Sequence, residues 1–257
     1  MKITNKTDLP EELVWLAENQ HEIVDNKYSV TTLLDESRKV LLFHRHTDEV
    51  KRDVTDMIWA LFGTAFHKIV AEPPHDKVNP LVLREHYMEH ELLKGYKVTG
   101  TTDYIDTEKK HIYDWKTASV FKVTKQDFDK DIQQVLYYAT LYYLETGIVL
   151  EQGSVVYLLK DHHAGESWKN NYPKDPVYVI DFAIDLGTLK ETEIIMKSQL
   201  SKMVLLEDIP DEDLPPCEDT WGGRRCVNYC QSRDFCDVGR RKYLEFIEKE
   251  ATKNGKK

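Results

Sequence analysis

The chain has 257 residues and a formal net charge of −10, with 41% hydrophobic and 31% charged residues. That length allows one large core or two smaller ones. The acidic balance argues against a protein that coats nucleic acid by bulk attraction, although it allows an enzyme with local positive charge. No apolar run approaches the roughly 20 residues that a membrane span needs, and no signal-peptide pattern opens the chain. We expect a soluble, cytoplasmic protein without a membrane partner.

Hydrophobic periodicity predicts the first elements in chain order. Apolar residues recur at helical spacing across residues 53–72, which predicts a buried helix ended by two prolines. A β-hairpin follows, with strands at 96–105 and 111–116 on either side of a polar turn. Residues 127–145 again follow a helical period, which Gly147 closes.

Two strands and a helix complete the pattern, at residues 154–159, 177–184 and 186–206. This order of elements predicts an α/β fold with a mixed central sheet flanked by helices. We divide the chain into a core at residues 1–206 and a small module with a basic tail at residues 207–257, because an acidic, proline-containing stretch separates them.

The hairpin carries the sharpest chemical signal. Asp103 is followed after ten residues by Asp114-Trp115-Lys116. Side chains alternate along a strand, so Asp114 and Lys116 share one face, and the hairpin brings Asp103 beside them. Two carboxylates suit Mg²⁺ or Mn²⁺, and an ammonium group beside a metal-bound water can position it for attack on a phosphate. The alternative is a surface hairpin with ordinary exposed ion pairs.

Three ordered motifs extend this signal into a family resemblance. Asp103 with Asp114-x-Lys116 resembles the PD-(D/E)XK nuclease signature. Upstream, the segment 63–67 (Gly-Thr-Ala-Phe-His) is similar to the Gly-x-x-x-His helix of the RecB-type branch, and downstream, 134–138 (Gln-Val-Leu-Tyr-Tyr) is similar to its Gln-x-x-x-Tyr helix. The start at 29–33 (Ser-Val-Thr-Thr-Leu) resembles phage-encoded members. The resemblance implies a restriction-endonuclease-like core.

The resemblance also implies roles for the acidic and imidazole groups. His67, Asp103 and Asp114 would hold the divalent metal, and Lys116 would position the nucleophile. Glu85 resembles the helper acid of the family, but Glu89 and Glu91 compete for that role.

The helical motif leaves its register open. Gln134 and Tyr138 are four residues apart and therefore share a helical face, where they would hold Lys116 or contact the DNA backbone. Gln133 and Tyr137 have the same spacing. A helix that only packs its aromatic side chains is the alternative to both.

All cysteines of the chain fall within twenty residues: Cys217, Cys226, Cys230 and Cys236. Four thiols so close together in an intracellular chain predict a shared metal centre. Thiolates select zinc or an iron–sulfur cluster, and ligand type alone does not separate the two. The resemblance to RecB-type relatives, which include CRISPR-adaptation nucleases, implies a [4Fe–4S] cluster, with Zn²⁺ as the alternative because the cysteine spacing departs from the family pattern.

The resemblance implies a metal-dependent DNA exonuclease in phage-type recombination or replication. Its substrate would be DNA, and its companion would be a single-strand-binding or annealing protein. Alternatives are a structure-specific or adaptation-type endonuclease and a non-catalytic DNA-binding module. Polarity, strand preference and oligomeric state have no signal in the sequence.

Overall fold

The computed structural model describes residues 1–18, 24–169, 171–218 and 221–254. The chain divides into two compact units. The terminal unit consists of Met1–Val24, Asp35–Ile58 and Gln199–Lys257, and the sheet unit consists of Asp25–Leu34 and Trp59–Ser198.

Strands and helices are interspersed along the described chain. The strands are β1 Lys2–Thr4, β2 Lys27–Ser29, β3 Lys51–Asp53, β4 Val82–Leu93, β5 Tyr96–Asp106, β6 His111–Ala118, β7 Gln152–Leu159 and β8 Val177–Ala183. The helices are α1 Glu11–Glu18, α2 Val30–Leu33, α3 Ser37–Arg45, α4 Ile58–Ala71, α5 Val120–Lys125, α6 Asp129–Thr146, α7 Leu186–Leu206, α8 Arg224–Asn228 and α9 Asp237–Asn254.

The sheet unit is built around a six-stranded mixed sheet. β5 pairs along its length with β4 in antiparallel orientation, and its first residues pair with β2 in parallel orientation. β6 joins the end of β5 in antiparallel orientation, then β7 adds a parallel strand and β8 an antiparallel one. This arrangement confirms the α/β fold with a mixed central sheet.

Helix α6 packs against this sheet through a row of buried side chains. Val135, Tyr138 and Leu141 are among them. Gly100 on β5 allows the close approach, because a Cβ atom there would lie 2.7 Å from a ring carbon of Tyr138. At its end, Gly147 adopts a left-handed conformation, as is usual for a glycine that terminates a helix. The sheet and α6 therefore hold each other in a fixed register.

The terminal unit contains a separate small core. β1 and β3 form a parallel pair, and buried Leu41, Leu42, Leu214 and Cys236 pack together. The cysteine-containing stretch therefore lies against helix α3 within one compact unit, although its residues are distant in sequence.

Most predicted elements are confirmed, and one is wrong in part. The β5–β6 hairpin, α6, β7, β8 and α7 lie where the periodicity predicts them. The helix predicted for 53–72 begins only at Ile58, after a strand and a 3-10 turn. It is also not a buried helix: every residue of α4 is described and none is buried. The apolar residues of α4 therefore lie on a partly exposed surface and not in the core.

Strand β4 has no counterpart in the sequence prediction. Its charged residues interrupt the apolar alternation that marks a strand. Within the described ranges, no helix is both long and apolar enough to cross a bilayer.

Candidate active site

Strands β5 and β6 separate at the two aspartates of the hairpin. Their pairing runs from Asp106 with His111 to Tyr104 with Tyr113 and goes no further. Asp103 and Asp114 are the next residues on the two strands. The backbone amide of Trp115 donates a 2.7 Å hydrogen bond to Oδ2 of Asp103. The Asp103 side chain thus replaces a backbone hydrogen bond between the two strands. Both carboxylates lie where the strands diverge.

Three side chains bring their metal-binding atoms together beside this point. Nδ1 of His67 lies 2.9 Å from Oδ1 of Asp103 and 3.9 Å from Oε1 of Glu85. One ligand atom from each of the three lies within 4.8 Å of the other two. His67 comes from α4, Glu85 from β4 and Asp103 from β5. The three residues form a candidate divalent-metal site.

The backbone at Glu85 has an unusual conformation that helps to build this site. Its φ of 44° lies in the left-handed region, which glutamate rarely adopts. The register pairs Arg84 with Tyr104 and His86 with Thr102, so Glu85 lies opposite Asp103. A residue held in such a conformation needs surrounding structure to maintain it, and such residues concentrate at functional sites.

Lys116 connects the second aspartate to helix α6. Its Nζ lies 3.1 Å from Oδ1 and 2.8 Å from Oδ2 of Asp114, and 3.0 Å from Oε1 of Gln134. The Nε2 of Gln134 donates in turn to the hydroxyl of Tyr138 at 2.9 Å. The four residues form one chain of polar contacts from the sheet to the helix.

The same contacts distinguish between the two possible helical registers. Gln133 donates to the hydroxyl of Tyr137 at 3.1 Å. Lys116 contacts Gln134 and not this second pair. The pair Gln134–Tyr138 is therefore the one joined to Asp114 in this structure.

The competing acids on β4 also lie in different surroundings. Glu89 forms ion pairs of 2.6 Å with Lys27 and with Lys97. Glu91 is exposed, and its strand position pairs with Lys97. Glu85 alone of the three belongs to the metal-ligand group found among the described residues.

Burial and charge shift the protonation of the site. The hydrogen bond to Asp103 raises the pKa of His67, and burial with the nearby Asp103 charge raises that of Glu85. Burial raises the pKa of Asp114 to about 6, although Lys116 opposes this shift. Burial acts to lower the pKa of Lys116, but the Asp114 carboxylate outweighs it and the net shift is upward. The site therefore contains negative charge that a cation would stabilise.

The donor set fits a divalent cation. Carboxylate oxygens with one imidazole nitrogen suit Mg²⁺ and Mn²⁺. Asp114 is 2% exposed, and among the described residues its Oδ2 accepts no hydrogen bond of normal geometry, in spite of the nearby Lys116 ammonium. A buried carboxylate oxygen without a hydrogen bond is costly unless another group compensates it. Asp114 lies outside the close three-residue group, although the charge of Asp103 contributes to its raised pKa.

One buried acid beside this site is absent from the residues predicted from the sequence. Asp131 accepts a 2.5 Å hydrogen bond from the hydroxyl of Tyr157 and forms an ion pair with Lys122. Its charge contributes to the raised pKa of both Asp114 and Lys116. Asp131 precedes Gln134 by three residues and so shares its helical face. That spacing was the signal available in the sequence.

The four cysteines line one cavity in the terminal unit. Its volume is about 170 Å³, and Arg38 and Lys39 line it as well. All four thiols are free, and Nε of the buried Arg38 donates to Sγ of Cys236 at 3.3 Å. Burial raises the pKa of Cys217 to about 11 and also raises that of Cys230. Among the described residues, no three cysteine sulfurs lie within 4.8 Å of one another.

Comparison with known proteins identifies the family. The model of the PD-(D/E)XK nuclease superfamily matches residues 6–237. Because the match spans most of its length, the chain belongs to the PD-(D/E)XK nuclease superfamily.

Solved structures that match this chain include the following two. The crystal structure of SSO0001 has a TM-score of 0.60 and 18% sequence identity, and the match covers 89% of this chain and 96% of that one. This likeness shows a shared fold. A phage related exonuclease from Haemophilus somnus 129PT matches with a TM-score of 0.31 and 9% identity, over 66% of this chain and 74% of that one. No curated protein matches the sequence.

Proposed function

We propose that this protein is a metal-dependent deoxyribonuclease. Its active site for the hydrolysis of phosphodiester bonds would lie in the sheet unit. The observation that carries the proposal is the meeting of two groups at the point where β5 and β6 separate. One is the ligand group His67, Glu85 and Asp103, with atoms within 4.8 Å of one another. The other is the ion pair of Asp114 with Lys116.

Each side chain has a role that its position supports. His67, Glu85 and Asp103 would hold the cation, with Asp114 as an additional oxygen ligand. Bound Mg²⁺ or Mn²⁺ supplies Lewis acidity toward the phosphate and lowers the pKa of a coordinated water. Lys116 stays protonated and orients the attacking oxygen while it offsets negative charge on the phosphate in the transition state. Gln134 and Tyr138 fix the ammonium group of Lys116.

Family resemblance supports a finer assignment. We place the chain in the RecB-type branch and propose an exonuclease of phage-type DNA recombination or replication, acting on DNA in the cytoplasm of a host cell. A single-strand-binding or annealing protein would be its partner. A structure-specific or adaptation-type endonuclease shares the same chemistry, because nothing in the described site distinguishes a DNA end from an internal bond.

We further propose that the four cysteines hold a [4Fe–4S] cluster. A tetrahedral zinc site with Zn–S bonds near 2.3 Å places its sulfurs about 3.8 Å apart. Here no three of the described cysteine sulfurs lie within 4.8 Å, and they surround a cavity of about 170 Å³. The wider spacing supports the larger group over zinc. The centre would stabilise a structural module at residues 207–257, since four thiolates leave no ligand position open for hydrolysis.

The deciding experiment compares end-labelled linear DNA with closed circular DNA in Mg²⁺ or Mn²⁺, using anaerobically purified protein. Lys116→Ala is the test variant, and Lys109→Ala is the matched control because that exposed lysine lies in the turn of the same hairpin. We expect metal-dependent loss of linear DNA that Lys116→Ala abolishes and Lys109→Ala retains. Cleavage of circles would identify an endonuclease, and no cleavage of either DNA by folded protein would favour the non-catalytic binding module.

A further inference from the structure

An exposed aromatic and apolar surface lies on α4, the helix that carries His67. Trp59, Phe62 and Ile69 are all more than half exposed. The three follow the spacing of one helical face, with Phe66 between them. Isolated exposed apolar residues are common on proteins, but a continuous row of them marks a surface that binds something.

A lysine covers one side of this surface. Nζ of Lys160 lies 4.2 Å from the centre of the Trp59 ring. The carboxylate of the neighbouring Asp161 accepts a 2.7 Å hydrogen bond from the backbone amide of Val120. The ammonium group thus lies over one face of an indole ring that is 60% exposed.

This pair lies close to the candidate active site. The amide of Lys160 donates to the carbonyl of Ala118, two residues after Lys116 on β6. A Cβ atom on Gly63 of α4 would lie 3.3 Å from Oγ1 of Thr117, so the helix directly contacts the strand that carries Lys116. Along α4, His67 lies eight positions after Trp59, which corresponds to about 12 Å.

We propose that Trp59 and Lys160 bind an unpaired nucleotide of the DNA substrate, with the base stacked on the indole face opposite Lys160 and the ammonium group paired with its phosphate. This inference deepens the proposed function and rests on it. Aromatic rings beside cations are the usual elements of single-strand recognition, because every base has a face that can stack. Bases within a duplex are already stacked on their neighbours and are not available to Trp59. The surface therefore selects single-stranded DNA, or a frayed or overhanging end, at the entry to the site.

A protein partner or a second copy of the chain would also cover an apolar helix face. The cation favours the nucleotide, because an ammonium group on the exposed ring complements a phosphate. The closeness of the pair to a phosphodiester-cleaving site favours it further.

The test measures binding without cleavage. Fluorescence anisotropy in EDTA follows the full chain with a labelled 12-nucleotide oligo(dT) and with a blunt hairpin duplex. We expect Trp59→Ala to weaken oligo(dT) binding by about tenfold and Trp59→Phe to weaken it much less, with duplex binding unchanged. Trp168→Ala is the matched control, because that tryptophan is 81% exposed, and it should bind like wild type.

Salt dependence separates the roles of the two residues. For a single strand, each phosphate contact contributes about 0.7 to the slope of log affinity against log salt concentration. Lys160→Gln should reduce that slope by about 0.7, whereas Trp59→Ala should leave it unchanged.

Several outcomes would overturn the inference. Equal affinity of wild type, Trp59→Ala and Lys160→Gln for oligo(dT) would show that the two residues do not bind a nucleotide. An equal loss of affinity for oligo(dT) and for the duplex in Trp59→Ala would show that the surface does not select single strands. A change in sedimentation of Trp59→Ala with no change in DNA binding would assign the surface to self-association. The binding assay in EDTA does not depend on cleavage. A wild-type protein that binds oligo(dT) in this assay but does not cleave DNA with Mg²⁺ or Mn²⁺ would therefore contradict the nuclease proposal without contradicting the nucleotide site.

Discussion

The ammonium nitrogen of Lys116 lies 3.0 Å from Oε1 of Gln134, and the amide nitrogen of that glutamine donates to the hydroxyl of Tyr138. The glutamine amide cannot rotate without losing both contacts, so its oxygen faces the lysine. Burial raises the pKa of Tyr138 to about 12, and its hydroxyl stays protonated. Helix α6 thus determines where the Lys116 ammonium group lies relative to Asp114.

Gln134→Ala should therefore lower kcat with little change in KM. Loss of the Oε1 acceptor frees Lys116 to move, and we expect a decrease of about 10- to 100-fold, the range typical of residues that orient a reacting group. Gln133→Ala is the matched control, because Gln133 contacts Tyr137 instead of Lys116. Steady-state cleavage of linear DNA measures both. Similar losses in the two variants would show that α6 contributes only through its stability.

The sequence predicts much of this site because its geometry is local. Alternation on β6 places Asp114 and Lys116 on one face, and the 3.1 Å contact of their side chains agrees with it. Spacing of four on a helix brings Gln134 to Tyr138 in the same way. Spacing cannot choose between this pair and Gln133 with Tyr137, because both satisfy it. Only the three-dimensional position of Lys116 distinguishes them.

Other features depend on contacts that no local pattern contains. Strand β4 has charged residues at several positions, so its sequence lacks the apolar alternation typical of a strand. The left-handed backbone of Glu85 is likewise not visible in the sequence. For α4 the apolar spacing correctly predicts a helix near His67. It cannot tell whether other elements cover the apolar side, and the prediction of burial fails for that reason.

Cation binding should depend on the three-residue ligand group. We expect His67→Ala and Asp103→Asn each to weaken Mn²⁺ binding by about tenfold or more, because each removes one donor from a group within 4.8 Å. Glu91→Gln is the control, an exposed acid on the same strand as Glu85. Isothermal titration calorimetry with Mn²⁺ on the full chain gives the affinities. Unchanged binding in the first two variants would place the cation elsewhere.

The cysteine cavity should contain iron and sulfide in anaerobically purified protein. We expect about four of each per chain, with Cys236→Ser losing them and melting about 5–10 °C lower because the metal centre stabilises the terminal unit. Arg38→Gln should keep the cluster but make it more labile to oxygen, since Arg38 Nε donates to Sγ of Cys236. Elemental analysis and visible absorbance check both. One zinc per chain without sulfide would establish the alternative centre.

The stability of the terminal unit should depend on pH through His46. Its Nε2 lies 2.6 Å from Oδ2 of Asp211 and its Nδ1 lies 3.0 Å from Oε1 of Glu49. The hydrogen bond to Asp211, followed by that to Glu49, raises the pKa of His46 above its ordinary 6.5. A raised pKa means that the folded state binds the proton more tightly than the unfolded state. The stabilisation is therefore complete below pH 6.5 and is lost as pH rises through the folded pKa.

His46→Gln should accordingly lower Tm more at about pH 5.5 than at about pH 8.5. His44→Gln provides a control of opposite sign in the last turn of α3, two residues before His46, because burial lowers the pKa of His44. Protonation of His44 opposes folding, so the Tm of wild type relative to this variant should fall as the solution is acidified. Differential scanning calorimetry across the pH range measures both differences. A His46→Gln difference that stays constant with pH would mean that the imidazole contributes by its stacking on Phe235, at 4.3 Å between ring centres, and not by its charge.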